Sequence, residues 1–303
     1  MRAASLNYRD LLMVAGQYDP RVPLPLVPCS DGVGTVDAVG PGAEARIGER
    51  RIPVFAQGWL DGPPQAAHLK TTLGGPLPGT LQTHMVVDAE ATVVVPESLT
   101  DAEAATLPCA AVTAWHALEE AGVGEGSTVL TLGTGGVSVF ALQLARARGA
   151  RVAITSSSPA RLERARALGA ELCIDYTRDA SWGRTAASWA GDGVDCVVEV
   201  GGAGTLAQSL RASRVGGTIA LIGVLAGGAG EVPLVHALMR SIRIQGILVG
   251  SRAHTVALVD AVEAAGLRPE IAATFGWDDV PEAFRALRAG GQLGKVVLTH
   301  PTP

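Results

Sequence analysis

The first region of the chain, residues 1 to about 102, is built from short β-like runs. Examples are GVGTVDAV and HMVVDAEATVVV, and turns rich in proline and glycine separate them, such as GPGAE, DGPP and GGPLPG. Short runs rich in β-branched residues and bounded by such turn signals are typical of strands. This region is therefore predicted to be an irregular, mostly antiparallel β domain.

The second region, residues 103–245, alternates between apolar runs and helical patterns. The runs are short and rich in β-branched residues: STVLTL, ARVAIT, ELCID, GVDCVVEV, GGTIALIG and IRIQGILVG. Helical patterns such as FALQLARARGA and PARLERARALGA lie between most of them. Strands alternating with helices indicate β-α-β units, and uninterrupted apolar runs indicate strands covered on both faces. The region is predicted to contain a parallel sheet.

The last region, residues 246–303, mixes the two patterns. Helices are predicted near 254–265 and 280–289, and a final strand at KVVLT. Capping residues support the helices of the second region: Ser158 precedes a proline at the first helical position, and Gly169 follows the last turn.

Composition narrows the class of protein. The chain has 303 residues, of which 48% are hydrophobic and 17% charged, so it can bury a sizeable core. A net charge of −5 gives no sign of the basic surface typical of proteins that bind nucleic acid or anionic membranes. The four cysteines are far apart, and the first residues lack the apolar core of a signal peptide. We expect a soluble, cytoplasmic protein.

The stretch TLGTGGVSVF, residues 131–140, almost matches the dinucleotide-binding pattern G-x-G-x-x-G. It follows the strand VLTL and opens a helix, which is the context that this pattern requires. Gly133 permits the tight turn, Gly135 lets the backbone approach a pyrophosphate, and Ser138 stands at the third glycine position. That position requires only a small side chain between helix and strand, so we predict dinucleotide binding through the loop Gly133, Thr134, Gly135, Gly136 and Val137.

The end of the second strand of this domain distinguishes NAD from NADP. NAD-binding sites carry an acidic residue there, whereas this chain reads TSSSPAR. Ser156 and Ser157 offer hydroxyls and Arg161 offers a cation to a 2′-phosphate. The cofactor is therefore predicted to be NADP(H), although the serines could also serve only to cap the next helix.

Several segments together resemble the medium-chain dehydrogenase/reductase superfamily, in particular its zinc-free quinone-oxidoreductase-like branch. They are AASLNYRDLLMVAGQY, PLVPCSDGVGTVDAVG, AATLPCAAVTAWHAL, GTGGVSVFALQLA, TSSSPARLERARALGA and GQLGKVVL, in the family's order across the whole chain. The resemblance implies a GroES-like, mostly β catalytic domain, residues 1–102 and 246–303, split around a doubly wound Rossmann domain, residues 103–245. Members usually begin with further strands, so either the natural start lies upstream or part of the β domain is missing.

The resemblance also indicates which positions would bind zinc if the chain were a zinc-dependent member. Zinc-dependent members place Cys, His and Cys at positions that are Asn7, Ser30 and Cys109 in this sequence. An amide, a hydroxyl and one thiol form a poor zinc site, and the four-cysteine structural lobe is missing from residues 51–80. The six histidines are scattered. We therefore expect no metal.

In the quinone-oxidoreductase-like branch, the nicotinamide site includes residues that match Asn7 and Tyr18. Asn7 can donate to a substrate oxygen or to the nicotinamide ribose, and Tyr18 can donate a proton. Both also have ordinary structural explanations, as a hydrogen-bonding brace and a core aromatic. By resemblance alone, further cofactor contacts are expected at Thr113, Tyr176, Val200, Gly201, Val224, Gly250, Ser251 and Arg252.

The sequence thus predicts a zinc-independent, NADPH-dependent oxidoreductase that transfers hydride to a quinone, an α,β-unsaturated carbonyl or a similar small electrophile. Two alternatives remain: a zinc-free alcohol dehydrogenase or ketone reductase, and a catalytically silent NADPH-binding protein. A homodimer through the edge of the last Rossmann strand, IRIQGILVG, is expected from the resemblance and because an open sheet edge requires cover.

Overall fold

The computed structural model describes residues 1–300, which form two compact units. The first unit combines residues 1–112 with the chain from Val249 onward, and the second is Thr113–Leu248. In chain order the strands are β1 (Ala3–Leu6), β2 (Asp31–Thr35), β3 (Arg50–Pro53), β4 (Thr92–Val94), β5 (Thr128–Leu132), β6 (Arg151–Ser156), β7 (Leu172–Asp175), β8 (Val194–Glu199), β9 (Ser213–Leu221), β10 (Arg243–Gly246), β11 (Ile271–Gly276) and β12 (Lys295–Thr299).

The α-helices of the same residues are α1 (Tyr8–Val14), α2 (Asp101–Ala104), α3 (Val112–Glu120), α4 (Gly136–Ala147), α5 (Pro159–Ala167), α6 (Trp182–Ala190), α7 (Ala203–Ala212), α8 (Leu234–Met239), α9 (Arg252–Ala264) and α10 (Val280–Ala289). Short 3₁₀ turns occupy His68–Thr71, Ala89–Ala91 and Trp277–Asp279, and a π-helical turn occupies Leu107–Ala111. Within residues 1–300, no helix is both long and apolar enough to span a membrane.

The first unit contains a six-stranded sheet in the order β11-β12-β1-β2-β3-β4. Strand β1 pairs antiparallel with β12 on one side and with β2 on the other, so Ser5 faces both Val297 and Asp31. Only β11 and β12 run parallel among these neighbours. Helix α10 covers part of this sheet, where Leu6 and Leu298 pack with Ala283. The sheet thereby brings the start of the chain beside a strand from its end.

One predicted strand of this unit is much shorter than its apolar run. The run HMVVDAEATVVV yields only β4, because a 3₁₀ turn precedes it. The carboxylate of Asp88 accepts a hydrogen bond of 3.0 Å from the backbone N–H of Glu90 and so caps that turn. Such a local cap competes with strand pairing.

The second unit contains a six-stranded sheet in the order β10-β9-β8-β5-β6-β7, with every neighbouring pair parallel. This is the doubly wound order of a Rossmann fold, and every residue of its central strand β5 is buried. On one side of the sheet, Val197 and Ile219 pack with Leu210 and Trp182 from the helices. The strand order reverses beside β5, and open α/β sheets bind ligands at the carboxyl ends of strands at such a point.

Candidate active site

The glycine-rich loop joins the end of β5 to the first turn of α4. Gly133 has a φ of +71°, which favours glycine, and Gly135 is the N-cap of α4. A Cβ added to Gly135 would meet no atom within 4 Å, so the outer side of the loop is open. The first-turn N–H groups and the positive end of the helix dipole are suited to bind a pyrophosphate there.

Ser138 occupies the position of the missing third glycine. Its hydroxyl donates a hydrogen bond of 2.6 Å to the carbonyl oxygen of Leu132, and the side chain is fully buried. The serine therefore ties the first turn of α4 to the end of β5. It fills the space between helix and strand and leaves the outer side of the loop unchanged.

The end of β6 lies beside this loop. The hydroxyl of Thr155 accepts a hydrogen bond of 3.1 Å from the backbone N–H of Gly133. Ser156 is buried, and its hydroxyl accepts from the N–H of Ser158, which caps α5 as predicted. The N–H of Tyr176, whose side chain is half exposed, donates to the carbonyl of Ser156 at 3.2 Å.

The guanidinium of Arg161 links the two loops. One amino group donates to the hydroxyl of Thr134 at 3.3 Å, and the other to the hydroxyl of Ser157 at 3.1 Å. We call these three residues the arginine cluster. Both acceptors are neutral hydroxyls, so the arginine charge remains available to an anion. The stretch from Thr155 to Arg161 contains no carboxylate that would repel a phosphate.

Two more predicted cofactor loops follow β8 and β9. The buried carboxylate of Glu199 accepts hydrogen bonds from the N–H groups of Gly201 and Gly202, at 2.7 and 3.1 Å. The N–H of Leu225 donates to the carbonyl of Val200 at 3.1 Å, so the two loops support each other. Val224 is 57% exposed beside them. These contacts fix the loops at the carboxyl ends of the parallel strands.

The remaining predicted cofactor residues belong to other elements. Thr113 is buried in α3 at the start of the second unit. Gly250, Ser251 and Arg252 belong to the first unit, where Ser251 caps α9 and the guanidinium of Arg252 donates to the carbonyl of Thr92 at 3.3 Å. Sequence order placed them after the last Rossmann strand, but the chain has already returned to the first unit at Val249.

A second polar cluster lies inside the first unit. Lys295, at the start of β12, is 3% exposed, and its ammonium donates to Oδ1 of Asn7 and, at 3.2 Å, to Oδ2 of Asp31. The hydroxyl of Ser30 donates to Oδ1 of Asp31 at 3.1 Å and accepts from Nδ2 of Asn7 at 3.5 Å. We call Asn7, Ser30, Asp31 and Lys295 the lysine cluster. The strand order explains it, because β1 leads into Asn7 between β2 and β12.

Burial is the largest influence on the pKa values of the carboxyl groups in and next to the lysine cluster. Burial raises the pKa of Asp31, and the ammonium of Lys295 only partly opposes this rise. Burial also raises the pKa of Asp10 to about 6, against the lowering effect of the hydrogen bond that its Oδ2 accepts from the N–H of Asn7 at 2.7 Å. The other oxygen of Asp10 is buried with no hydrogen-bond partner within residues 1–300.

Tyr18, the second predicted catalytic residue, lies against Arg9. Its ring is half exposed, and the guanidinium carbon of Arg9 is 4.9 Å from the ring centroid. Arg9 itself is held by the carbonyl of Leu73 at 2.9 Å. The arginine fixes the aromatic face of Tyr18 through a cation–π contact. The structure therefore places Tyr18 at the surface of its unit rather than in the core.

The donor set at the positions of the family's zinc ligands is weak. Asn7 and Ser30 provide an amide and a hydroxyl, and burial raises the pKa of the Cys109 thiol to about 12. Zinc binds the thiolate, and the buried ammonium of Lys295 bonds to the amide oxygen that a metal would need. Within residues 1–300, no group of three His, Cys, Asp or Glu side chains could hold a metal ion. These residues do not fit zinc.

Comparison with known proteins agrees with this architecture. Residues 1–97 match the family described as the alcohol dehydrogenase GroES-like domain, and residues 136–264 match that described as zinc-binding dehydrogenase. A zinc-type alcohol dehydrogenase-like protein of Schizosaccharomyces pombe is 41% identical over 98% of this chain and 89% of its own length. The chain belongs to the medium-chain dehydrogenase/reductase superfamily. The predicted family and fold class are confirmed.

Two further similarities concern the chemistry. A 2-methylene-furan-3-one reductase of Solanum lycopersicum is 31% identical over 99% of this chain and 70% of its own length. A crystal structure of an NAD-dependent alcohol dehydrogenase superposes with a TM-score of 0.89 at 32% identity, over 98% of this chain and 90% of that one. This medium-chain dehydrogenase/reductase is thus an oxidoreductase that uses a nicotinamide cofactor.

Sequence reasoning missed Lys295 and Asp31. One signal was present: the chain has only two lysines, and Lys295 opens an otherwise apolar strand, KVVLT. A lysine in such a strand is seldom fully buried without a partner, so this pattern could have indicated a buried acid elsewhere in the chain. The sequence could not identify that acid, because Asp31 is 264 residues away.

Proposed function

We propose that this medium-chain dehydrogenase/reductase is a zinc-independent, NADP(H)-dependent reductase of quinones, α,β-unsaturated carbonyls or similar small electrophiles. The single observation that carries the cofactor assignment is the guanidinium of Arg161, held by two neutral hydroxyls where an NAD-binding site would have a carboxylate. The proposed cofactor-binding domain is residues 103–245, and the proposed catalytic domain is residues 1–102 with 246–303.

The arginine cluster suits a 2′-phosphate for electrostatic reasons. A guanidinium can donate two parallel hydrogen bonds to a phosphate, and hydroxyls can donate further ones. Thr134 and Ser157 already hold the guanidinium in place, so little side-chain freedom would be lost on binding. Ser156 is proposed to contribute through its position next to Ser157, and Tyr176 through its half-exposed ring beside the adenosine phosphate.

The glycine-rich loop is proposed to bind the pyrophosphate through the N–H groups of the first turn of α4. The loops at Val200, Gly201 and Val224 lie at the carboxyl ends of their strands and are proposed to line the nicotinamide. The nicotinamide, when bound, supplies the hydride from C4. Thr113, Gly250, Ser251 and Arg252 remain proposed contacts on the basis of family resemblance.

The chain's own groups must then stabilise the negative charge that develops on the acceptor oxygen. We propose that the amide N–H of Asn7 donates to this oxygen and that Tyr18 supplies the proton. Zinc plays no part in the proposal, because the donor set of Asn7, Ser30 and Cys109 is unsuitable for it. The similarity to an enone reductase of tomato supports acceptors with a conjugated carbonyl.

The test is turnover of NADPH and NADH with matched panels of quinones, enones and simple ketones. We expect NADPH to be oxidised with quinones or enones, the rate to be independent of added zinc, and turnover with NADH to be slower. Turnover of ketones alone would support the alternative of an alcohol dehydrogenase or ketone reductase, which the similarity to alcohol dehydrogenases favours. Binding of NADPH without turnover of any acceptor would indicate the silent NADPH-binding protein.

Tyr18→Phe tests the proposed proton donor. If its hydroxyl takes part, kcat should fall while the Kd for NADPH stays within about twofold, since the ring and its contact with Arg9 are kept. Equal kcat values for the two proteins would assign Tyr18 a packing role.

The proposed location is the cytoplasm, and the proposed assembly is a homodimer through the edge strand β10. Exposed apolar residues lie on α8 and β10 of the same unit, among them Leu238, Met239 and Ile244. Covering an open strand edge and such side chains favours association of two copies. Sedimentation equilibrium tests the dimer, and a monomer at micromolar concentration would contradict it.

A further inference from the structure

The ammonium of Lys295 is buried, although burying a charge costs free energy unless partners compensate it. It has two partners of different kinds: the carboxylate of Asp31, which balances the charge, and the neutral amide oxygen of Asn7. If Lys295 served only to form an ion pair between β12 and β2, the carboxylate of Asp31 would be a sufficient partner. The second contact places a fixed positive charge directly on the side chain proposed to contact substrate.

This contact determines the orientation of the amide. An ammonium has only donors, so the side-chain oxygen of Asn7 must face Lys295 and the NH₂ group must face the other way. Nδ2 is 3.5 Å from the hydroxyl of Ser30, which can take one of the two amide hydrogens. The side chain of Asn7 also hydrogen-bonds to the carboxylate of Asp31. Asn7 is half-buried, so an acceptor from solvent or substrate could reach its NH₂ group and would compete with Asp31 for the second hydrogen.

The contact also changes how strongly the amide donates. A positive charge on the oxygen draws electron density through the C–N bond and makes the N–H hydrogens more acidic, which is the cooperative strengthening seen in hydrogen-bonded chains. The effect is larger at a buried site because the local dielectric constant is low. Lys295 cannot itself reach a substrate, since only 3% of it is exposed.

We propose that Lys295 is a positioning residue: its buried ammonium orients and polarises the amide of Asn7, whose N–H then donates to the carbonyl oxygen of the substrate. Asp31 holds the ammonium in place. The inference rests on the proposed function, because it assumes that Asn7 contacts the acceptor. The ammonium of Lys295 thus supplies a positive charge at the position where zinc-dependent members of the family hold a metal cation.

The competing explanation is that Lys295 and Asp31 form only a structural ion pair. Removing the lysine alone leaves a buried carboxylate without its partner and can unfold the protein. The informative variant is therefore Lys295→Met with Asp31→Asn, which removes both charges together. Asn7→Ala and the triple variant complete a double-mutant cycle. Lys70→Met, an exposed position and the only other lysine, is the matched control.

In steady-state assays the paired variant should lose about tenfold in kcat with its Kd for NADPH unchanged, and Asn7→Ala should lose more. In the Asn7→Ala background, removing the two charges should cause no further loss, because the lysine acts through Asn7. An equal tenfold loss in both backgrounds would overturn the proposal, as would full activity of the paired variant.

A spectroscopic measurement separates this inference from the proposed function. Asn7 is the only asparagine in the chain, so ¹⁵N-asparagine labelling gives one side-chain NH₂ signal. In the wild type its ¹⁵N resonance should lie downfield of a free amide and should move toward that value in the paired variant. If the resonance does not move, the inference is overturned, whatever the activity of the two proteins. If the wild type turns over no acceptor, the proposed function fails, and the resonance alone decides whether Lys295 polarises Asn7.

Discussion

The arginine cluster of the second unit and the lysine cluster of the first both hold a cation, but in opposite electrostatic settings. The guanidinium of Arg161 is half-buried and donates to two neutral hydroxyls. The ammonium of Lys295 is 3% exposed and is balanced by the carboxylate of Asp31. The first charge is therefore suited to an external anion, whereas the second is compensated within the protein and can act only on its neighbours.

The comparison shows how a cation's partners indicate its role. A charge that has only neutral partners can bind a ligand, and its removal should affect affinity more than stability. A charge that is paired and buried contributes to the fold, and its removal should affect stability first. Lys295→Met and Arg161→Ala test this difference directly. Asp10→Asn and Ser138→Ala test buried polar groups next to the two clusters, and the four are taken from the largest expected effect to the smallest.

Lys295→Met should destabilise the protein most. The substitution leaves the buried carboxylate of Asp31 without its ammonium, and breaking such a pair costs about 3–5 kcal/mol. Urea denaturation followed by fluorescence measures the loss. Adding Asp31→Asn should recover part of it, and Lys70→Met should change little. A loss below about 1 kcal/mol, which is the range of a surface ion pair, would show that Lys295 and Asp31 do not behave as a buried pair.

Asp10→Asn should change the pH dependence of stability. The pKa of Asp10 is raised from 3.8 to about 6, so between these values the folded state holds a proton that the unfolded state has released. Wild-type stability should therefore fall as the pH rises through this window, by up to about 3 kcal/mol from this group. The Asp10→Asn variant has no carboxyl group to titrate at this position, so its stability relative to wild type should increase by most of that amount from pH 4 to pH 7.

The control for Asp10→Asn is Asp278→Asn, at an exposed position whose charge stays in water in both states. Its stability difference from wild type should be nearly constant over the same pH range. A constant difference for Asp10→Asn as well would show that the carboxyl group of Asp10 is not desolvated in the folded protein.

Arg161→Ala should weaken NADPH binding by about 2 kcal/mol, or about thirtyfold, while NADH binding changes less than threefold. The guanidinium is expected to contact only the 2′-phosphate, which NADH lacks. Fluorescence titration with both cofactors measures the two Kd values. Arg166→Ala on the same helix removes an exposed arginine paired with Glu163 and should leave both unchanged. Equal losses for the two cofactors would show that Arg161 does not discriminate between them.

The arginine cluster could be predicted because its residues are close in sequence. The strand β5, the glycine loop, β6 and the cap of α5 follow one another between residues 128 and 161, and each is specified by local pattern and capping chemistry. The contacts among Thr134, Ser157 and Arg161 then require only that two neighbouring parallel strands end at the same edge of the sheet. Local sequence determines both the elements themselves and the pairing of these two neighbouring strands.

The lysine cluster could not be predicted in the same way. Its contact between Asn7 and Lys295 joins residues that are 288 positions apart, and it depends on the register that pairs Leu6 with Val296. A shift of one residue in that register would turn Lys295 to the other face of the sheet. Asn7 was identified through family resemblance, but its electrostatic partner follows only from strand order.

The smallest expected effect concerns Ser138, which joins the cofactor loop to the fold without facing the ligand. Ser138→Ala removes the buried hydrogen bond of 2.6 Å to the carbonyl of Leu132 and should cost about 1 kcal/mol of stability. The Kd for NADPH should stay within about twofold, because the open side of the loop is formed by Gly135 and its N–H groups. Urea denaturation and fluorescence titration measure the two quantities, with the exposed Ser98→Ala as the control. A large loss of NADPH affinity at unchanged stability would instead place the Ser138 hydroxyl on the ligand side of the loop. Ser138 would then act as Arg161 is expected to act, on cofactor affinity rather than on the stability of the fold.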